Sequence, residues 1–210
     1  MLNRITLPVT PFMQNCSLVW CSSTNRAALI DPGGETDRLL AAVHERDLIL
    51  ERIILTHGHL DHVGATGEIS AQTGVPVEGP GEQDAYWIDG LPQQVQMFGF
   101  EPVPDFTPDR WLKAGDTVSV GAEQLEIYHC PGHTPGHLVL VHKAQRLAFV
   151  GDVLFNGGIG RTDFPGGDHR QLLHSINSIL LPLGDDITFV PGHGPESTFG
   201  HERLTNPYLR

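Results

Sequence analysis

Residues 56–62 read Thr56-His57-Gly58-His59-Leu60-Asp61-His62 and follow directly on Ile53-Ile54-Leu55, an apolar run with the character of a buried strand. Residues two apart in an extended segment point the same way, so His57 and His59 can share one metal ion. Asp61 and His62 come next, at the expected start of a helix, and can reach a neighbouring position. Neutral imidazole offers a lone pair at physiological pH, and imidazole with carboxylate suits zinc, iron or manganese. Calcium would need more oxygen ligands than this run supplies. A single histidine after a strand is commonplace and usually solvated. Three histidines and an aspartate at this spacing make a metal cluster.

On the N-terminal side, Arg4 to Val9, Ser17 to Cys21 and Arg26 to Ile30 are short apolar runs that read as strands, stopped by the turn Asp31-Pro32-Gly33-Gly34. Thr36 to Asp47 reads as a helix with Leu39, Leu40 and Val43 on one face, its start capped by Glu35 or Thr36. Glu51 to Leu55 is a strand, Gly64 to Gly74 a helix closed by a glycine, and Val75 to Glu78 a short strand. Beyond them, Glu82 to Asp109 carries Pro92, Pro102, Pro104 and Pro108 with several aromatics and reads as irregular, a lid or specificity loop. Strands return at Thr117 to Val120, Gln124 to His129, Leu138 to His142 and Leu147 to Val150. A helix over Asp168 to Leu181 and a strand over Ile187 to Val190 complete an α/β order. No linker-like stretch interrupts residues 1–210, so one domain is expected. An echo stands out, because Pro131-Gly132-His133 follows one strand and Pro191-Gly192-His193 another.

Composition narrows the partners. A formal net charge of -12 repels phosphate backbones and anionic lipid, which disfavours nucleic acid and membrane surfaces. Cys16, Cys21 and Cys130 are odd in number and form no Cys-x-x-Cys, which fits reduced thiols. No run reaches membrane-span length and the first residues lack a signal-peptide core, so a cytoplasmic monomer is expected. Twelve histidines are unusual for 210 residues. His129 and His137 flank His133 and could orient ligands. His44, His142, His169, His174 and His201 read as ordinary surface or partly buried residues, and Cys130 as buried and inert.

The run from Thr56 to His62 resembles the T-H-x-H-x-D-H signature of the metallo-β-lactamase superfamily, and the likeness extends over nearly the whole chain. Later elements of that family appear in order at Pro131-Gly132-His133, Gly151-Asp152 and Pro191-Gly192-His193-Gly194, with Asp31-Pro32-Gly33 as the early one. The resemblance implies a four-layer αβ/βα sandwich with metals at the edge of two sheets. It implies two divalent metal ions, zinc ahead of iron or manganese. His57, His59 and His133 would hold one, Asp61, His62 and His193 the other, and Asp152 would bridge them. Asp61 and Asp152 would act in catalysis, with a metal-activated water as nucleophile. No G-x-S-x-G elbow points to a serine nucleophile instead.

Gly157 to Phe164, with Glu202, Asn206, Pro207 and Tyr208, resembles the glyoxalase II branch, and the chain is similar to its short bacterial members, which lack a C-terminal helical domain. That likeness implies hydrolysis of S-D-lactoylglutathione to glutathione and D-lactate, with a small, glutathione-derived thioester as the partner. Arg161 would meet a substrate carboxylate; a surface salt bridge is its plainer role. Gly160-Arg161-Thr162-Asp163-Phe164 also resembles the mononuclear-iron glutathione persulfide dioxygenases of the same fold, the alternative reading together with other hydrolases of the superfamily.

Overall fold

In the computed structural model, which describes residues 1–210, apolar residues of both parities along the strands find a buried face. The first sheet holds β1 (Leu2–Val9), β2 (Gln14–Cys21), β3 (Arg26–Ile30), β4 (Ile49–Ile54) and β5 (Val77–Glu78) in that order. The second holds β6 (Thr117–Val120), β7 (Glu123–His129), β8 (Leu138–His142), β9 (Leu147–Gly151), β12 (Thr188–Pro191) and β13 (Ser197–Thr198), ordered β13-β12-β9-β8-β7-β6. Between the sheets pack Val19, Ala28, Ile30 and Ile54 from one and Leu138, Leu140, Phe149 and Val190 from the other. Their sequence neighbours point the opposite way. Leu18, Leu29 and Ile53 pack outward with Leu39 and Val43 of α1 (Thr36–His44) and Ile69 of α3 (Thr66–Thr73). Val139, Val141, Ala148 and Val150 pack outward with Leu172 of α6 (His169–Ser175) and Ile176 and Leu180 of the wider helical turns that follow it. Side chains alternate across a strand, so a sheet covered on both faces reads as a continuous apolar run. The result is the expected four-layer mixed α/β sandwich.

Strand direction gathers the polar ends. β7 is antiparallel to β8, β8 is antiparallel to β9, and β9 is parallel to β12. The C-terminal ends of β7, β9 and β12 therefore face one edge, and they lead into His133, Asp152 and His193. In the first sheet β3 and β4 are parallel and lead into Asp31 and Thr56–His62. The sheets are tied at this edge by Leu138 N–H, which donates to Thr56 O at 2.8 Å.

Several elements differ from the sequence reading. Glu82–Asp109 is not an irregular loop. Its first part folds as a helical turn followed by α4 (Ala85–Asp89) and α5 (Leu91–Phe98), with Pro92 in the opening turn of α5, where its missing N–H costs nothing. Only the residues after Gly99 lack regular structure up to Arg110. The helix expected from Gly64 to Gly74 is present as α3, and a separate helical turn, α2 (Leu60–Val63), precedes it, so Asp61 and His62 lie inside that turn. α1 ends at His44, and neither Glu35 nor Thr36 caps it through a side chain; Thr36 Oγ1 donates to Glu68 instead. The hairpin β10 (Leu154–Phe155) and β11 (Gly158–Ile159), the strand β13 and the helix α7 (Phe199–Thr205) carried too little apolar periodicity to be read. His142 is buried rather than at the surface, and its Nε2 pairs with Glu123 at 2.9 Å. No helix is long and apolar enough to cross a membrane.

Candidate metal centre and substrate cavity

All seven residues expected as ligands meet at the common strand edge. His57 Nε2 lies 3.1 Å from His59 Nδ1, which lies 3.0 Å from His133 Nε2. Beside them, His193 Nε2 lies 3.1 Å from Asp61 Oδ2, and His62 Nε2 lies 3.7 Å from the same oxygen. The Asp152 carboxylate stands between the two groups, 3.3 Å from His62 Nε2 and 3.6 Å from both His133 Nε2 and His193 Nε2.

Hydrogen bonds behind the rings set which nitrogen is free. His133 Nδ1 donates to Arg161 O at 2.7 Å and His193 Nδ1 to Phe12 O at 3.1 Å. Carbonyls only accept, so in both rings the lone pair sits on Nε2. Asp31 does the same for two more. Its Oδ2 accepts from His62 Nδ1 at 2.9 Å and from Thr56 Oγ1 at 2.6 Å, while Thr56 Oγ1 accepts from His57 Nδ1 at 3.0 Å. One buried carboxylate thus fixes a ring in each group, the orientation that metal-binding histidines need. Burial holds the rings of His57, His59 and His133 below the ordinary histidine pKa, which keeps them neutral. Burial also disfavours charge on His62 and Asp152, yet their mutual attraction outweighs it, raising the first and lowering the second.

The donor set fits metal. Lone pairs of His57 and His133 converge on His59 Nδ1, and one proton there cannot satisfy both. His62 Nε2 and Asp152 Oδ1 are buried with no hydrogen-bond partner, a costly arrangement unless a cation takes the lone pairs. Nitrogens about 2.0–2.1 Å from a tetrahedral ion stand roughly 3.3 Å apart, close to the spacing here. His57, His59 and His133 form one group able to hold a metal ion, and Asp61, His62 and His193 another. Close backbone approach makes the packing possible. A Cβ on Gly33 would lie 1.5 Å from Asp61 O, and one on Gly192 would lie 2.0 Å from Asp152 Oδ1.

Further polar residues brace these side chains from behind. His137 stacks on His57, with centroids 4.6 Å apart, and its Nε2 accepts the Asp152 backbone N–H at 3.0 Å, the orienting position expected of it. His129 braces the His133 loop through Pro135 O at 2.7 Å. Asp84 was not legible, because it lies in the segment read as irregular. It is fully buried and accepts from Gly58 N at 3.0 Å, Thr134 Oγ1 at 2.7 Å and Gly136 N at 2.6 Å, clasping the His57–His59 segment to the His133 loop. Burial pushes its carboxyl up to about 6. Cys130 is buried beside the site, its thiol pushed up by desolvation, which fits an inert role.

A cavity of about 710 Å³ opens onto these donors. Its floor includes His59, Asp61, His133, Asp152 and His193, and its walls are largely aromatic: Tyr86 and Trp87 from α4, Phe98 from α5, Phe12 from the β1–β2 turn, and Phe164. Arg161 sits on the rim, paired with Asp163 and stacked over Phe164.

Residues 9–193 match the family described as the metallo-beta-lactamase superfamily, and the chain belongs to it. It is a metallohydrolase of that superfamily. The hydroxyacylglutathione hydrolase GloC of Haemophilus influenzae is 48% identical over 209 residues, covering 99% of this chain and 98% of that protein. Among solved structures, TTHA1623 in a di-iron-bound form is 35% identical with a TM-score of 0.89, covering 98% of this chain and 100% of that one. The B3 metallo-beta-lactamase BLEG-1 is 32% identical with a TM-score of 0.89, covering 100% and 99%.

Proposed function

We propose that this protein is a thioester hydrolase of the type II glyoxalase kind, converting S-D-lactoylglutathione to glutathione and D-lactate. Two divalent ions, zinc ahead of iron and manganese, would be held by His57, His59 and His133 and by Asp61, His62 and His193, with Asp152 shared. The observation that carries the reading is the Asp152 carboxylate between two sets of converging donors, with its own Oδ1 and His62 Nε2 buried without a partner. The relative named as a hydroxyacylglutathione hydrolase supports the substrate class, and the di-iron form of TTHA1623 supports a pair of ions.

Two ions bound there supply an activated water and Lewis-acid polarisation of a carbonyl at neutral pH. The chain's own residues do the positioning. Asp31 and Thr56 hold His62 and His57 in the tautomers that present Nε2. His137 holds the Asp152 backbone, and so the carboxylate, in place. Asp61 and Asp152 are the carboxylates lining the cavity, and both face its reacting end. Trp87, Phe98 and Phe164 give the substrate an apolar wall to pack against. Hydrolysis adds water across the C–S bond: the acyl carbon takes the hydroxyl group and the sulfur leaves as thiolate. A thiol pKa of about 8.5 lets that thiolate depart without a strong acid. This suits a cavity whose nearest phenol, Tyr86, is engaged with Pro165 O and pushed up to about 12 by burial.

The test is to load the purified protein separately with zinc, iron and manganese. Metal per chain, S-D-lactoylglutathione hydrolysis and persulfide-dependent oxygen uptake are then measured. About two ions per chain with thioester turnover is expected. One iron per chain with oxygen uptake and no thioester turnover would replace this reading with the dioxygenase.

A further inference from the structure

Arg161 is the only lysine or arginine lining the cavity. Its Nε donates to Asp163 Oδ1 at 2.7 Å and its Nη2 to Oδ2 at 2.6 Å, the bidentate geometry by which arginine recognises a free carboxylate. The guanidinium carbon lies over the Phe164 ring, 3.9 Å from its centroid, so the fork rests against the cavity wall. Phe164 in turn meets the rings of Trp87 and the ligand His59. The main chain is tied to the metal site, because Arg161 O accepts from His133 Nδ1. The cavity's one permanent cation is therefore already paired with a carboxylate two residues away. Its Nη1 group makes no bond to Asp163.

We propose that Asp163 is a specificity-determining residue: by holding Arg161 in an internal ion pair, it lowers the site's demand for a carboxylate on the thiol arm of the substrate. This rests on the thioesterase reading of the cavity. With Asp163 in place, an incoming carboxylate meets a neutralised fork and gains little. Affinity then comes mainly from the aromatic walls, which read shape and not charge. Both members of the pair are more than half exposed, at 56% and 66%, and exposed pairs of this kind are weak enough to exchange partners. The class of substrate that follows is a thioester whose thiol carrier is recognised largely through apolar contact, with its carboxylates optional.

Kinetics of the zinc-loaded enzyme on S-D-lactoylglutathione and on the diester of the same compound, in which both carboxylates are masked, test this. The wild type is expected to show KM values within about threefold of each other. Asp163→Asn keeps one acceptor for Arg161 but removes the charge. It should lower KM for the charged thioester by roughly three- to tenfold, leave the diester unchanged and leave kcat alone. The gain should shrink with added salt. Asp163→Glu, which restores the carboxylate, should return the wild-type ratio. An Asp163→Asn variant that leaves the ratio of KM values unmoved, or lowers both alike, overturns the proposal, as does a wild type that rejects the diester by a hundredfold. If neither compound is hydrolysed, the thioesterase reading fails, and calorimetry with glutathione and its diester still decides. Tighter glutathione binding by Asp163→Asn alone supports the role of Asp163. Equal binding, or none by either protein, overturns it.

Discussion

The metal cradle and the substrate wall share one cavity and are built on opposite principles. In the cradle most rings are pinned from behind by a hydrogen bond, while the atoms that face the metal position stay unpaired at His62 Nε2 and Asp152 Oδ1. His57, His62, His133 and His193 each give one ring nitrogen to a named acceptor, and Asp84 and Asp31 are sunk beneath them. The wall is made of aromatic side chains on short helices and turns that touch each other edge to face, such as Phe12 on Phe98 and Trp87 on Phe164. Its outer members reach water: Met97 is 71% exposed and Phe12 45%. The cradle is over-determined by hydrogen bonds, whereas the wall is held by dispersion and burial, which tolerate exchange. Within the cradle a gradient repeats the contrast. The His57–His59–His133 group is buried, while the His193 side chain keeps 29% of its surface. Substitutions should separate the two regions: cradle changes should cost metal, wall changes should cost substrate affinity.

The largest effect is expected at Asp152. Asp152→Ala removes the carboxylate that faces both groups of donors, and should lower metal content per chain and reduce thioester turnover by roughly a thousandfold or more. Elemental analysis alongside kinetics checks both, and retained turnover would remove Asp152 from the shared position. Asp84 is the sharper case, since it touches neither ligand side chains nor the cavity. Asp84→Ala leaves two backbone N–H groups and one hydroxyl without their acceptor, on the order of 3 kcal/mol of stability, and should loosen metal along with the two ligand loops. Its charge also sets a pH dependence. The folded carboxyl sits at about 6, above the ordinary 3.8, because burial penalises the anion. A raised carboxyl stabilises the fold fully below about 3.8, and that contribution is lost as pH rises through about 6. In metal-free protein, the advantage of wild type over Asp84→Asn in urea unfolding should therefore be greatest near pH 4 and shrink towards neutrality. An advantage that grows with pH would mean that the three hydrogen bonds outweigh the cost of burial.

In the wall, Trp87→Ala should raise KM about ten- to thirtyfold by removing a large ring from the cavity, with metal content unchanged. Metal loss in this variant, detected by the same elemental analysis, would erase the distinction between cradle and wall, since Trp87 lies 4.5 Å from the His59 ring, centroid to centroid.

The same division explains what the sequence could disclose. The candidate metal donors are histidines and aspartates clustered just beyond apolar strands, so Thr56–His62, His133, Asp152 and His193 stand out against runs such as Ala148-Phe149-Val150. The sheets were legible for the related reason that strands covered on both faces are apolar throughout. The wall obeys no such chemical restriction. Tyr86, Trp87 and Phe98 acquire meaning only when α4 and α5 fold over the cavity; α4 is too short to announce a period, and α5 opens on Pro92 in a proline-bearing segment that reads as irregular. Asp84 was hidden for a third reason: its partners are backbone N–H groups at Gly58 and Gly136 and a hydroxyl at Thr134, and nothing in residue type or spacing links those positions.

Tyr86 offers the smallest change and the finest division. Its hydroxyl donates to Pro165 O at 2.5 Å, tying α4 to the segment that carries Arg161 and Phe164. Tyr86→Phe keeps the ring and its tilted contact with Trp87 and deletes only that tie, an interaction of about 0.5–1.5 kcal/mol. The segment has a second anchor in the bond from His133 Nδ1 to Arg161 O, so the backbone next to the metal centre should stay where it is. The expected result is a two- to fivefold rise in KM, with kcat and metal content unchanged. A fall in kcat of the same size would show that the 161–168 segment acts on His133 as well as on substrate, and that wall and cradle are coupled through the one residue, Arg161, whose carbonyl belongs to one and whose guanidinium belongs to the other.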